Sequence, residues 1–146
     1  PLERTIADIN MDMVGRIDKK HMDGNDKRYV YVIGSDKIST ELDSLVTAAN
    51  KQTVRLSLDY QYNDDNDPNQ FYRRSDHYNF ARKGVPIVFF FTGVHEDYHR
   101  PTDTVEKIVF ENMVDIGRLA YVTGWKVGNF KRMLQKHGKP SPYGTE

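Results

Sequence analysis

Residues 85–91, VPIVFFF, are the longest apolar run in the chain and limit the folds that it can adopt. The run is far shorter than the ~20 apolar residues of a membrane-spanning helix. It is also too uniformly apolar to have one face in water, so it predicts a central β-strand covered on both sides. Residues 92–101 follow it and contain two histidines, a glutamate and an aspartate. In open α/β sheets ligands bind at the carboxyl ends of the strands, so this loop is a candidate site.

Three other segments are rich in β-branched and apolar residues and predict strands, at 5–14, 28–33 and 53–60. Segments of helical periodicity lie between them, and a final helix is expected at 105–134. The alternation of strands and helices predicts an α/β fold. The expected capping residues of the helices are Ser39 or Thr40, Ser75 or Asp76, and Asp103 or Thr104.

Composition excludes some classes of function. Lys plus Arg and Asp plus Glu both number 21, so the formal net charge is zero and no basic footprint for nucleic acid is present. The chain has no cysteine, and a zinc ion would therefore need nitrogen and oxygen ligands. The longest apolar run, of seven residues, predicts no membrane span.

Two polar segments have simple structural interpretations. Residues 18–27 contain turn-forming Asp, Gly and Asn residues, and we expect a surface turn there with His21 in solvent. The acidic side chains of Asp64, Asp65 and Asp67 could bind calcium, although a solvated loop is the simpler interpretation.

Several ionisable residues are candidates for chemistry. Asp12 lies in a mostly apolar segment, where a buried carboxylate needs either hydrogen bonds or a cation, and both alternatives stay open from the residues alone. His95 and His99 are four residues apart, which would place them on one helical face. Because they lie between a glycine and Pro101, a loop is expected instead, and the spacing has less meaning.

Two blocks of the sequence, in this order, are similar to the zinc-dependent M28 family of aminopeptidases. The first is INMDMVGR at 9–16. The second contains Ser75-Asp76-His77, Gly84-Val85-Pro86, Tyr98-His99, Pro101 and Asp103-Thr104. The resemblance extends over about 2–130. It implies a three-layer α/β/α fold with a mixed, mostly parallel sheet, in which residues 1–136 are the C-terminal part of the catalytic domain. Residues 137–146 have no apolar pattern and are expected to form a flexible tail.

The resemblance also implies roles for particular residues. Family members hold two zinc ions bridged by an aspartate and a water, a pair that lowers the pKa of the attacking water and stabilises the oxyanion. Asp12 matches a carboxylate ligand of one ion, and His99 matches the histidine ligand of the other. Tyr98 matches the hydroxyl donor to the oxyanion.

Other matches concern the surroundings of the metals. Arg74 matches a position that approaches the carboxylate end of the substrate in some members, where an arginine can bind bidentately. Asp76 and His77 are expected to cap a helix and to support the ligands from outside. His95 has no match, and we expect it to support the site or lie at the surface.

The sequence departs from the family in one respect. The family pattern places three features before the position of Asp12: an upstream histidine, the bridging aspartate, and a Glu-Glu pair that supplies the general base. None of them is present in this sequence. We therefore expect the C-terminal part of a longer enzyme, inactive alone, whose partners are a peptide substrate and the N-terminal part of the same domain. By resemblance the location is periplasmic or secreted. Two alternatives are a glutaminyl-cyclase-like zinc acyltransferase and a non-catalytic binding domain of the same fold.

Overall fold

The computed structural model describes residues 2–137, which contain a four-stranded sheet. Its strands are β1 (Asp8–Met11), β2 (Tyr29–Ile33), β3 (Ser57–Asp59) and β4 (Ile87–Phe91). Their order is β1-β4-β2-β3, in which β4 is parallel to β1 and antiparallel to β2, while β2 is parallel to β3. The prediction of a mixed, mostly parallel sheet is confirmed.

Strand β4 is the central strand that its apolar run predicts. All five of its residues are buried, between β1 on one side and β2 on the other. Phe90 lies opposite both Met11 and Val32. Strands β1 and β3 form the edges of the described sheet and are shorter than the apolar segments suggested.

The two faces of the sheet have separate cores because successive strand residues point to opposite sides. On one face Val32 and Phe90 pack against two long helices, α2 (Thr40–Gln52) and α4 (Phe110–Gly128). The other face carries an aromatic core: Tyr29, Tyr31, Phe71, Phe89 and Phe91. Short elements lie on that side, among them the 3-10 turns Gln61–Asn63 and Phe71–Arg73.

The last helix does not begin at Asp103 or Thr104. Thr104 instead precedes a 3-10 turn, Val105–Lys107, after which Ile108 is extended. The backbone N–H of Val109 donates to the carbonyl of Gly15 at 2.8 Å, so this segment is tied to the chain beyond β1 before α4 starts. Apolar periodicity cannot detect such a long-range hydrogen bond.

Residues 18–27 are not a plain surface turn. They form α1 (Lys19–Asp23), which Asp18 caps by accepting from the backbone N–H of His21 at 3.0 Å. His21 is 5% exposed rather than in solvent, and its ring stacks on Tyr29 with centroids 3.3 Å apart. The prediction of an exposed His21 is therefore wrong.

The acidic loop has a structural role. Asp64 and Asp67 accept hydrogen bonds from backbone N–H groups two residues later, and Asp65 pairs with Lys37. Within residues 2–137 these three carboxylates do not form a cluster that could hold a metal ion.

The expected C-terminal tail is described only at its first residue. The backbone N–H of His137 donates to the carbonyl of Ile38, and its Nε2 accepts from Thr40 N–H at 2.9 Å. The rest of the tail, 138–146, lies outside the described residues. No helix in the described part of the chain combines the length and apolar character needed to cross a membrane.

Candidate active site

The candidate site is a cavity of about 530 Å³ near the carboxyl ends of β1 and β4. Because these strands are parallel neighbours, the segments that follow them meet at one edge of the sheet. Four of the sequence-predicted residues line the cavity together: Asp12, Arg74, Tyr98 and His99. The structure thus brings together residues that are up to 87 positions apart in the chain.

Asp12 is held by a chain of hydrogen bonds. Its Oδ2 accepts from the Ser75 hydroxyl at 2.7 Å, and Ser75 Oγ accepts from Asn10 Nδ2 at 3.0 Å. Asn10 Nδ2 also lies 3.3 Å from His77 Nδ1. Ser75 therefore orients the carboxylate, whereas the sequence suggested that it caps a helix. The short helix α3 (Tyr78–Ala81) begins without a side-chain cap from Ser75 or Asp76.

His77 is the last member of this series of hydrogen bonds, and its side chain is fully buried. Its Nε2 is 2.7 Å from the carbonyl of Tyr72, so Nε2 carries the proton and Nδ1 accepts from Asn10. The ring stacks on Phe89, with centroids 4.5 Å apart. Burial lowers the pKa of His77, which keeps the ring neutral, although the Tyr72 carbonyl and nearby carboxylates act in the opposite direction. Hydrogen-bond contacts through Asn10 and Ser75 thus connect His77 to Asp12, which is how His77 would give the support predicted for it.

Asp76 has a different environment. It is exposed and makes no hydrogen bond to Asp12 or His99 in the described structure. Its negative charge instead affects the pKa of Asp8 and of His77. Asp8 lies at the start of β1, where its Oδ2 is buried without a partner in the described residues. Burial, followed by the charge of Asp76, raises the pKa of Asp8.

Tyr98 and His99 project from the loop that follows β4. His99 has a left-handed backbone with φ of 56° and is exposed, and its ring stacks on Tyr98 with centroids 3.9 Å apart. Arg74 lies over the ring of Phe71 at 4.9 Å, and its Nη2 is 3.5 Å from the Tyr98 hydroxyl. A cation and a hydroxyl donor therefore face the same cavity as the candidate ligands.

An ion-pair network lies beside these residues. Arg16 Nη2 is 2.7 Å from Asp97 Oδ2, and Arg16 Nη1 is 2.5 Å from Asp103 Oδ1. Lys107 Nζ contacts the second oxygen of Asp97 at 2.7 Å. Hydrogen bonds from Lys107 and then Arg16 hold the pKa of Asp97 well below its usual range.

His95, Asp97 and Asp103 offer atoms close enough to share a metal ion. However, Arg16 and Lys107 already neutralise the two carboxylates. The two carboxylates therefore belong to an ion-pair network rather than to a metal site. The side chain of His95 is 7% exposed, which excludes the surface position that we considered for it. Burial lowers the pKa of His95.

Sequence reasoning did not identify Asn10, Arg16 or Asp97 as parts of the site. Arg16 is the last residue of the matched block at 9–16 and Asp97 is next to the matched Tyr98, but charged loop residues are usually solvated and gave no separate signal. The hydrogen bonds of Asn10 to Ser75 and of Arg16 to Asp97 join residues more than 60 positions apart, and only the fold shows these pairings.

Structures of three aminopeptidases resemble this chain. They come from Legionella pneumophila (LapA; 18% identity, TM-score 0.65), Aneurinibacillus sp. strain AM-1 (20%, 0.60) and Bacillus subtilis (BSAP, a zinc aminopeptidase; 23%, 0.60). The matches cover 87%, 99% and 86% of this chain but only 32%, 29% and 29% of those proteins. At these identities the likeness shows the fold, and the chain spans about a third of the length of these structures.

No curated protein sequence matches the chain. The sequence model of the family described as Peptidase family M28 matches residues 1–123, which is most of the chain. This chain therefore belongs to peptidase family M28.

Proposed function

We propose that this chain is the C-terminal part of the catalytic domain of a dizinc aminopeptidase, which hydrolyses N-terminal residues from peptides. The observation that carries the proposal is the grouping of Asp12, His99, Tyr98 and Arg74 around one cavity. Membership of family M28 and the shared fold of three aminopeptidases support it.

The donor atoms suit zinc. Carboxylate oxygen and imidazole nitrogen are common zinc ligands. Ser75 fixes Oδ2 of Asp12, while Oδ1 accepts no hydrogen bond from residues 2–137. The ring nitrogens of His99 are likewise without hydrogen-bond partners among the described residues, so both groups can donate to a metal. Bound zinc supplies Lewis acidity that activates water and stabilises negative charge.

Tyr98 and Arg74 would act on the substrate. The Tyr98 hydroxyl is a donor for the oxyanion that develops on the scissile carbonyl, a role that can lower the barrier by a few kcal/mol. Arg74 presents a guanidinium beside that hydroxyl and would pair with the carboxylate end of a short peptide. Its stacking on Phe71 limits the orientations of the guanidinium before substrate binds.

This chain cannot supply a whole dizinc site. Asp12 and His99 give one ligand to each ion, whereas a catalytic zinc usually has three protein ligands. The sequence contains no adjacent glutamates to supply the general base and a further ligand. We therefore propose that the chain is inactive alone and that an upstream part of the same domain completes the site.

The surface next to β1 is suited to receive that part. Within the described residues β1 pairs with a neighbour on one side only. Helix α4 exposes a row of large apolar side chains at helical spacing: Phe110, Val114, Tyr121 and Trp125. An open strand edge beside exposed apolar residues is typical of an interface, and a strand and a helix of the upstream part would cover both.

The central test compares the full-length gene product with this chain, using zinc analysis and hydrolysis of leucine p-nitroanilide. We expect two zinc ions and turnover in the full-length protein and neither in the chain alone. His99→Ala should abolish turnover in the full-length protein without unfolding it, whereas the control His137→Ala should not. A full-length protein without zinc would refute the proposal and favour a non-catalytic binding domain.

A periplasmic or secreted location also belongs to this proposal and rests on the family resemblance. Fractionation of the source cells followed by immunodetection tests it, and recovery in the cytoplasmic fraction would contradict it.

A further inference from the structure

The loop that carries Tyr98 and His99 is fastened mainly through Asp97, the residue just before them. The Asp97 side chain is only 6% exposed. One of its carboxylate oxygens contacts Arg16 and the other contacts Lys107, both at 2.7 Å. The Asp97 backbone carbonyl also accepts from the N–H of Arg100 at 2.9 Å.

Arg16 joins two parts of the candidate site. It lies four residues after Asp12, on the segment that leaves β1, and its guanidinium reaches both Asp97 and Asp103. These two carboxylates are on either side of His99 in the sequence. A single side chain therefore connects the segment of one candidate ligand to the loop of the other. Because the Arg16 side chain is 16% exposed, solvent screens these ion pairs less than pairs at the open surface.

The conformation of the loop needs such support. A left-handed backbone is unfavourable for a residue with a Cβ, and His99 adopts it with φ of 56°. Among the described residues the His99 ring itself has only a stacking contact, with Tyr98. The forces that hold His99 in place must therefore act through its neighbours in the loop.

We propose that Arg16, Asp97 and Lys107 form a clamp that positions Tyr98 and His99 at the cavity. The proposal rests on the proposed function, since it assigns the clamp to the geometry of a zinc ligand and an oxyanion donor. These three are positioning residues: they act through Tyr98 and His99 and need not touch substrate or metal.

The test uses Asp97→Asn, which keeps the shape of the side chain but removes its charge. The matched control is Asp115→Asn, which breaks an ion pair with Arg28 of similar length, 2.6 Å, that does not line the cavity. In the full-length gene product, Asp97→Asn should lower zinc affinity by about 10–100-fold, as loss of a supporting partner does. It should lower kcat more than it changes KM, and the control should alter neither.

A second measurement separates the clamp from the proposed function. Backbone N–H groups of Tyr98 and Arg100 donate within the loop, to His95 and Asp97. Their hydrogen exchange should accelerate in Asp97→Asn but not in Asp115→Asn. Arg16→Met should have the same effect, and the double variant Arg16→Met/Asp97→Asn should add little to either single change.

The two proposals can fail separately. Unchanged exchange, zinc affinity and kcat in Asp97→Asn would overturn the clamp even if the full-length protein is a zinc peptidase. If the unaltered full-length protein binds no zinc, the proposed function fails, and the exchange measurement alone decides whether the clamp holds the loop.

Discussion

Replacing Gly93 by alanine should destabilise the protein because two costs combine at this position. Gly93 lies two residues after β4, just before the cavity-lining Val94, and has φ of 89°, a backbone conformation that costs a residue with a Cβ about 1–2 kcal/mol. A Cβ added there would lie 2.6 Å from Asp18 Oδ2, closer than the two atoms can approach. The carboxylate or the strand end must therefore move.

Asp18 cannot move without losing hydrogen bonds. Its Oδ2 accepts from the Tyr31 hydroxyl at 2.6 Å, and its Oδ1 caps α1 through the N–H of His21. Loss of a hydrogen bond to a charged group costs about 1.5–3 kcal/mol. Added to the backbone cost, this predicts a destabilisation of about 2.5–5 kcal/mol for Gly93→Ala.

Gly84→Ala is the matched control. Gly84 also has a positive φ, 73°, but a Cβ there would meet nothing within 4 Å, so we expect only the backbone cost of about 1–2 kcal/mol. Urea titration followed by far-UV circular dichroism measures both free energies of unfolding. In an Asp18→Gly background, which removes both the carboxylate and the Cβ that would lie 2.8 Å from the new methyl group, the extra cost of Gly93→Ala should disappear. Equal losses in the two glycine variants would refute the reasoning.

Three other predictions concern the site and the fold. Ser75→Ala should lower the zinc affinity of the full-length protein about tenfold, because Asp12 loses its orienting hydrogen bond; chelator competition measures this, and Ser44→Ala is the control. Burial lowers the pKa of His77 below its ordinary value of 6.5, so the unfolded chain binds a proton that the folded chain does not. The free energy of unfolding should fall as the pH drops below 6.5, and it should fall less in His77→Gln; identical pH slopes would contradict this. Gly117→Ala within α4 should raise the free energy of unfolding by about 1 kcal/mol, and with it the melting temperature. Alanine favours a helix more than glycine does, and open space surrounds the added methyl group.

The sequence predicted the parts of the fold that local pattern determines. Residues 85–91 predicted β4 because a uniformly apolar run has one stable place, the centre of a covered sheet. The position of Tyr98 and His99 at the candidate site followed from their place after that strand, together with the family motif. Asp12 meets them because β1 and β4 are parallel neighbours.

Long-range partners decided the features that the sequence did not predict. His21 looked like a turn residue in water, but its ring stacks on Tyr29 of β2 and lies 3.5 Å from Asp59 of β3, so strands that follow it in the chain bury it. The final helix starts at Phe110 because a hydrogen bond to Gly15 holds the preceding residues in an extended form. The residue type of Ser75 suggested a helix cap, but its hydroxyl instead donates a hydrogen bond to Asp12.

We propose above all that this chain contributes Asp12 and His99 to a dizinc peptidase site. The most direct measurement is zinc content per chain, by elemental analysis, in the full-length gene product and in its Asp12→Ala and His99→Ala variants. We expect two zinc ions in the unaltered protein and fewer in each variant, with the fold retained as judged by circular dichroism. Two tightly bound zinc ions in both variants would contradict the assignment of the ligands.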